Sequence, residues 1–345
     1  MMINKLQILN FKSIKFFSLD CARVNVFVGE PNVGKSNILE ALDLSYLSWM
    51  LGLNKDKKEM NQPEIDIKRY FRVNKVDNLF HGGDISEPIA IIHPGFSYDT
   101  SLDCLPGLNN DKFRVQSNGS FTDFDNDFAP VEPQQFFSSP IIPYKYNSDI
   151  TFQNGGLLNR LLPPFGDNLG SIIKHHKSMQ DLIKEFAEHN NFELKIHSNT
   201  LDMAILLRVN EGLVYELPYS SLADTYKRML FYIAAVRHPN GSVITLDEPD
   251  THAFPKYVSY LADEIIIQKN KQFFISTHNP YLLNQLIEKM PSGEFAVFVC
   301  SYDKNKKSTV AKRLSDADLE ELLDYGVDLF FNLNKYISDS IEYTA

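Results

Sequence analysis

Val24–Leu42, VNVFVGEPNVGKSNILEAL, decides how the rest of the chain is read. Val24–Val28 is a short, β-branched run, which reads as a buried strand. Gly29–Ser36 (GEPNVGKS) meets every fixed position of G-x-x-x-x-G-K-[ST]. After it, Ile38, Leu39, Ala41 and Leu42 make the apolar face of a helix expected to reach Trp49 or Leu51. Strand, glycine-rich loop and helix, in that order, are the context in which this motif captures an anion. Gly29 and Gly34 permit backbone angles that turn successive N–H groups to one concave side, and the helix adds its positive end there. Lys35 offers a point charge for β- and γ-phosphates, and Ser36 a hydroxyl for Mg²⁺. As a plain strand-to-helix turn, the stretch would leave Lys35 an unexplained charge over a helix start.

The surrounding composition sets bounds. The chain has 345 residues, of which 43% are hydrophobic and 23% charged, so a sizeable core is available and wholesale disorder is excluded. Length suggests about two domains. The net charge is −10, so nucleic acid could be held only through a local basic patch, not by the bulk field. Three separated cysteines, Cys21, Cys104 and Cys300, form no CxxC pair and fit a reducing cytosol. No apolar run approaches the length of a membrane span, so no membrane contact and a cytoplasmic location are expected.

Along the chain, Leu6–Phe11, Ile14–Leu19 and Val24–Val28 read as three strands. Pro88–Phe96 and Ser138–Tyr146 are strand-like, whereas Asn109–Asp127 shows little periodicity. Leu158–Phe165 and Gly170–Asn190 read as helices, and residues 192–217 as a strand ladder with a turn at Asn210-Glu211-Gly212. A buried helix follows over Leu222–Val236. The last third alternates strand and helix: Ser242–Leu246, Pro255–Gln268, Gln272–Thr277, Tyr281–Lys289, Glu294–Ser301, Thr309–Leu314 and Asp316–Leu323. That rhythm predicts a parallel sheet with crossover helices. The divisions expected are 1–51, with the loop; an insert over 52–200; and 201–345, with the remaining motifs.

Val243–Pro249 (VITLDEP) is a buried strand ending in two carboxylates. It is expected next to the glycine-rich strand, where Asp247 would hold Mg²⁺ and Glu248 would orient or deprotonate an attacking water. Gln272–Asn279 (QFFISTHN) brings Thr277-His278 to the same strand-end edge, where α/β proteins bind ligands. His278 is there a candidate for a γ-phosphate contact.

Together, Gly29–Ser36, Asp247-Glu248-Pro249 and Ser276-Thr277-His278-Asn279-Pro280 resemble the ABC-type ATPases of the SMC/RecF/OLD group, and Leu6–Ser13 (LQILNFKS) resembles their first strand. The resemblance covers roughly residues 3–51 and 215–300. It implies an α/β, ABC-type P-loop NTPase of two lobes: a mostly parallel central sheet, an N-terminal antiparallel lobe and an irregular α+β insert. It further implies a dimer closing on two ATPs. Nucleotide contacts would come from Lys12, Ser13, Gly29, Glu30, Pro31, Asn32, Val33, Gly34, Lys35, Ser36 and Asn37, and from Ser221 and Asp224 of the opposing protomer. Ser36 and Asp247 would hold Mg²⁺; Lys35, Glu248 and His278 would serve catalysis. The signature segment, Tyr219–Arg228 (YSSLADTYKR), departs from the group by having no glycine. Ser221 is expected to cap the next helix while offering its hydroxyl, and a plain N-cap is the alternative. Gln134 or Gln135 would be the linking glutamine.

The insert has no heptads, which argues against a long-armed tether. After His278 the chain leaves too little for the TOPRIM nuclease of OLD relatives, and Asp316-Ala317-Asp318 reads as the capped start of a helix. The expectation is an ATP-hydrolysing switch controlling a protein effector docked on the insert, as in bacterial anti-phage systems, with no nuclease of its own. A RecF-like DNA maintenance ATPase and a non-hydrolysing scaffold are the alternatives.

Overall fold

The computed structural model describes residues 2–59, 64–94, 98–105, 112–131, 135–148, 152, 160–190, 192–197, 202–210, 213–237, 242–324 and 328–337. The chain opens with β1 (Lys5–Phe11), β2 (Ile14–Asp20) and β3 (Val24–Val28), as expected, then α1 (Lys35–Leu44), α2 (Leu47–Glu59) and α3 (Ile67–Phe71). The insert contributes β4 (Ile89–Ile92), β5 (Thr100–Leu105), β6 (Lys112–Ser117), β7 (Ser120–Phe124), β8 (Ile141–Tyr144), α4 (Leu169–His175) and α5 (Lys177–Asn190). The ladder β9 (Glu193–Ile196), β10 (Met203–Asn210) and β11 (Leu213–Pro218) leads into α6 (Asp224–Val236). Then come β12 (Val243–Asp247), α7 (Pro255–Ile267), β13 (Gln272–Ser276), α8 (Pro280–Lys289), β14 (Phe295–Asp303), β15 (Ser308–Arg313), α9 (Asp316–Asp324) and α10 (Leu333–Ile337).

Two six-stranded sheets form the body. The central one runs β15-β14-β3-β13-β12-β8, parallel except for β15. The antiparallel one runs β2-β1-β4-β5-β6-β7. The insert is therefore woven into both: β4–β7 complete the antiparallel sheet, and β8 forms an edge of the central one. The sheets meet where β2 runs beside β15: the Thr309 amide donates to the Ser13 carbonyl at 2.8 Å and the Lys15 amide to Ser308 Oγ at 2.9 Å.

All five residues of β3 are buried, because β13 and β14 cover its two edges and helices cover its faces. Phe27 stacks on Phe298 at 5.3 Å and on Phe274 at 6.4 Å, so one aromatic row ties three neighbouring strands. Each such ring contributes about 1.5–3 kcal/mol through burial. The polar side chain on this strand, Asn25, is satisfied by the Ala22 and Phe273 backbone. Next to it, buried Arg23 donates to the Gln268 and Ile266 carbonyls at the end of α7 and pairs with Glu294 at 2.8 Å, closing a helix C-terminus with a cation.

Five expectations change. The helix expected to run from the loop to Trp49 or Leu51 ends at Leu44, and a separate helix begins at Leu47. The acidic strand β12 is not next to β3: β13 lies between them, since two crossover connections fix parallel direction but not strand order. Asn109–Asp127, read as aperiodic, contains the β6–β7 hairpin, turned by Asn118 and Gly119 at φ 50° and 79°. Residues 160–165 are not helical, Pro163-Pro164 removing two helix donors; residues 158 and 159 lie outside the described part. Gly170–Asn190 is two helices, broken at His176, whose φ −109° and ψ 111° are extended.

Candidate functional site

The loop between β3 and α1 is a cradle built by backbone angle and by lack of space. Gly29, Asn32 and Gly34 have φ of 151°, 63° and 100°. A Cβ on Gly29 would stand 2.5 Å from the Cys300 carbonyl oxygen, and one on Gly34 would stand 2.1 Å from Thr309 Oγ1. Only glycine fits either place. Helix α1 begins with no side-chain cap and no acidic residue in its first turn, which leaves its positive end to the loop. Lys35 is buried and folds back, its ammonium donating to the Gly29 and Glu30 carbonyls at 3.0 and 2.8 Å. Burial lowers its pKa, opposed by Cys300, Glu248 and Asp247. Glu30, Pro31 and Asn32 form the exposed rim, with Val33, Ser36 and Asn37 half-buried.

The acidic edge faces this cradle although β12 is one strand further away than expected. Asp247 reaches Ser36: Ser36 Oγ donates to Asp247 Oδ1 at 3.1 Å, and Ser276 Oγ donates to the same oxygen. Ser276 is thus the bridge across the intervening strand. Its Oγ also accepts from the Glu248 amide at 3.0 Å, which holds Glu248 in a left-handed conformation, φ 48°. The Glu248 carboxylate lies 3.5 Å from His278 Nε2 and accepts from Thr251 Oγ1 at 3.2 Å. Burial and then the Lys35 charge lower the His278 pKa, so the imidazole is neutral at pH 7. Beneath, Asp250 is buried, accepts from the Thr277 hydroxyl, and is pushed up by burial to about 7.

The family described as "AAA domain, putative AbiEii toxin, Type IV TA system" matches residues 24–284, from the strand before the cradle to the helix after His278. The chain belongs to this AAA-domain family. A relative from Helicobacter pylori, described as an ATP/GTP phosphatase, is 23% identical over an alignment taking in 86% of this chain and 90% of that one. Among solved structures, an SMC head bound to the C-winged helix domain of ScpA is similar at TM-score 0.48 and 15% identity, over 95% of this chain and 100% of that one. The SMC head domain from Thermotoga maritima is similar at TM-score 0.41 and 13% identity, over 91% and 100%.

Other expected contacts of the AAA domain are dispersed. Ser13 stands at the cradle: its Oγ accepts from Asn37 Nδ2 at 2.7 Å. Lys12 does not; its ammonium is held behind α1 by buried Glu40 and by the Phe71 carbonyl, and Arg72 takes the other Glu40 oxygen at 2.8 Å. Ser221 lies in a short 3₁₀ turn, Tyr219–Ser221, and is not a cap: α6 begins at Asp224 after Ala223, with no side-chain cap bond. Asp224 sits at that helix start with Arg228 at 2.7 Å and Tyr146 Oη at 3.1 Å. Burial alone would raise its pKa, but these partners hold it below the ordinary carboxylate range. Gln134 lies outside the described residues; Gln135 is exposed, its carbonyl accepting from Thr122 on β7, the far edge of the antiparallel sheet. Asp318 and Ser315 cap α9 reciprocally, as expected.

The residues present fit a magnesium nucleotide. The glycine loop with its uncapped helix start, the buried ammonium and the glycines without room for Cβ suit a phosphate chain, while Ser36 and Asp247 are hard oxygen donors of the kind Mg²⁺ takes alongside phosphate oxygens. Sequence reasoning quoted Ser276 without seeing its role, since it depends on strand order. Thr309 carried no local signal; it meets the loop 276 residues away from Val33.

Proposed function

We propose that this AAA domain binds ATP with Mg²⁺ on Gly29–Asn37, hydrolyses it to ADP and phosphate, and closes as a dimer around two ATPs to control a protein effector, in the setting of bacterial anti-phage defence. The observation that supports hydrolysis is Glu248: a carboxylate steadied by Thr251 and His278 at the mouth shared with Lys35 and the Ser36–Asp247 pair. Magnesium, when bound, would neutralise charge on the β- and γ-phosphates and would be held by Ser36 and Asp247. The chain's own residues supply the rest. Lys35 leaves its two carbonyls for phosphate oxygens. Glu248 accepts a proton from, or orients, the attacking water. Neutral His278 offers an N–H donor to the γ-phosphate. The printed description of the H. pylori relative is in keeping with a triphosphate substrate. The toxin-system wording of the family is in keeping with an effector. Ser221 and Asp224 would meet the partner protomer's nucleotide, and the effector would dock on the insert.

Glu248→Gln tests this. It should retain ATP affinity, lose turnover by roughly 10²–10⁴-fold, and collect as a closed dimer because the ATP-bound form no longer decays. Light scattering with and without ATP reads the mass. Turnover equal to wild type removes Glu248 from catalysis, and an unchanged mass at saturating ATP removes the sandwich.

A further inference from the structure

We propose that Thr309, on the last strand of the central sheet, is a positioning residue that aims a peptide N–H of the loop at the phosphates; this rests on the reading of Gly29–Asn37 as an ATP site. Thr309 Oγ1 donates to the Val33 carbonyl at 2.8 Å. It also lies 2.7 Å from Ser13 Oγ, which accepts from Asn37 Nδ2 at 2.7 Å. The direction of every bond in this chain is fixed. A carbonyl only accepts, so the single Thr309 proton goes to Val33. Ser13 must then donate to Thr309. Asn37 donates to Ser13. The result is a one-way relay, Asn37 to Ser13 to Thr309 to Val33, in which each bond polarises the next.

Its terminus matters because the C=O and N–H of a trans peptide point in opposite directions. Pinning the Val33 carbonyl outward against β15 turns the Gly34 N–H to the opposite side, the concave side of the loop. The peptide would otherwise be free to rotate, since Gly34 at φ 100° tolerates a wide range of angles. The same hydroxyl occupies the place of a Gly34 Cβ. Thr309 is itself registered by its own amide, which donates to the Ser13 carbonyl at 2.8 Å, and it is fully buried. A hairpin from the far end of the sequence thus sets the geometry of the loop.

A misaimed N–H weakens ground and transition states alike, so KM should rise while kcat holds. Thr309→Val, which keeps shape and removes the donor, should raise KM for ATP roughly tenfold and weaken ADP similarly by calorimetry, with kcat within about twofold. Thr309→Ser, which keeps the hydroxyl, should restore KM to near wild type. Ser13→Ala should raise KM about threefold, by removing the polarising donor but leaving the last bond. A general loss of packing would instead lower the melting temperature without separating Val from Ser on KM. Thr309→Val with wild-type KM overturns the assignment, as does a Thr309→Ser no better than Val. If Thr309→Val does not fold, an unchanged KM in Ser13→Ala overturns it. Wild-type protein that neither binds nor hydrolyses ATP removes the ATP reading and this inference together; wild-type turnover beside an unaffected Thr309→Val removes this inference alone.

Discussion

Two regions of the AAA domain are expected to touch ATP, and they are built in opposite ways. The cradle at Gly29–Asn37 is determined from within the chain. Its glycines are forced by Cys300 and Thr309, its lysine is buried, and its acid is held by Ser276 from the neighbouring strand. The segment at Tyr219–Arg228 is less determined, although Tyr219 packs on Phe152 and Leu222 is buried. Ser220 and Ser221 are exposed, the turn between β11 and α6 is short, and α6 has no side-chain cap. At Asp224, Tyr146 and Arg228 fix the side chain. The difference teaches that one stretch has its geometry forced by distant parts of the same chain, while the other leaves two serines open to solvent.

The hardest blow to this contrast would come from Lys35→Ala. The ammonium is the loop's buried cation, so its loss should lower ATP affinity by about 100-fold or more, with the fold retained, as calorimetry and circular dichroism would show. Wild-type affinity would mean that the cradle is not the capturing half. Next, Ser221→Ala should leave stability within about 0.5 kcal/mol, because the side chain is exposed. Binding of ATP to the monomer should also be unchanged, while ATP-dependent dimerisation in a Glu248→Gln background weakens by roughly tenfold. Sedimentation at graded protein concentration measures it. Loss of monomer binding instead would place Ser221 in the same half as Lys35.

The smallest effect concerns the support of the cradle. Asp43, on α1, is buried, accepts from Tyr70 Oη at 2.7 Å and Thr245 Oγ1 at 2.5 Å, and is pushed by burial to about 7. A raised carboxyl binds its proton more tightly folded than unfolded, so its contribution to stability is present at low pH and lost as pH rises from about 4 to about 7. Asp43→Asn should therefore gain stability relative to wild type across that window and level off above it. Denaturant melts at successive pH values check the sign; a difference independent of pH would show that Asp43 is ionised when folded.

The three motifs were legible because each is a local pattern at the end of a buried strand, and local patterns need no knowledge of partners. The strands and helices of the last third were legible for the same reason. Strand order was not: nothing in VITLDEP or QFFISTHN says that β13 separates β12 from β3, and the role of Ser276 follows only from that order. Lys12 was expected at the loop only through the resemblance of Leu6–Ser13 to a family strand, and buried Glu40 takes its charge. The β6–β7 hairpin was overlooked although Asn118-Gly119 between alternating residues is a strong turn signal. Polar Asn, Asp and Ser around it obscured the alternation. Ser221 looked like a cap by residue type, yet the chain makes an extra 3₁₀ turn before α6 begins.

The position of β3 has a consequence in time. Its two sheet neighbours are β13 and β14, and Phe273, whose carbonyl holds Asn25, lies 248 residues downstream. During synthesis the Val24–Val28 strand emerges before β13 and β14 and waits for both while the insert is made. Partners so distant in sequence are slow to arrive because loop closure must precede the contact. A nascent chain halted before residue 272 would carry the complete glycine-rich motif and still lack the walls that shape it. The geometry of the glycine-rich loop is thus set only after β13, β14 and β15 have been made.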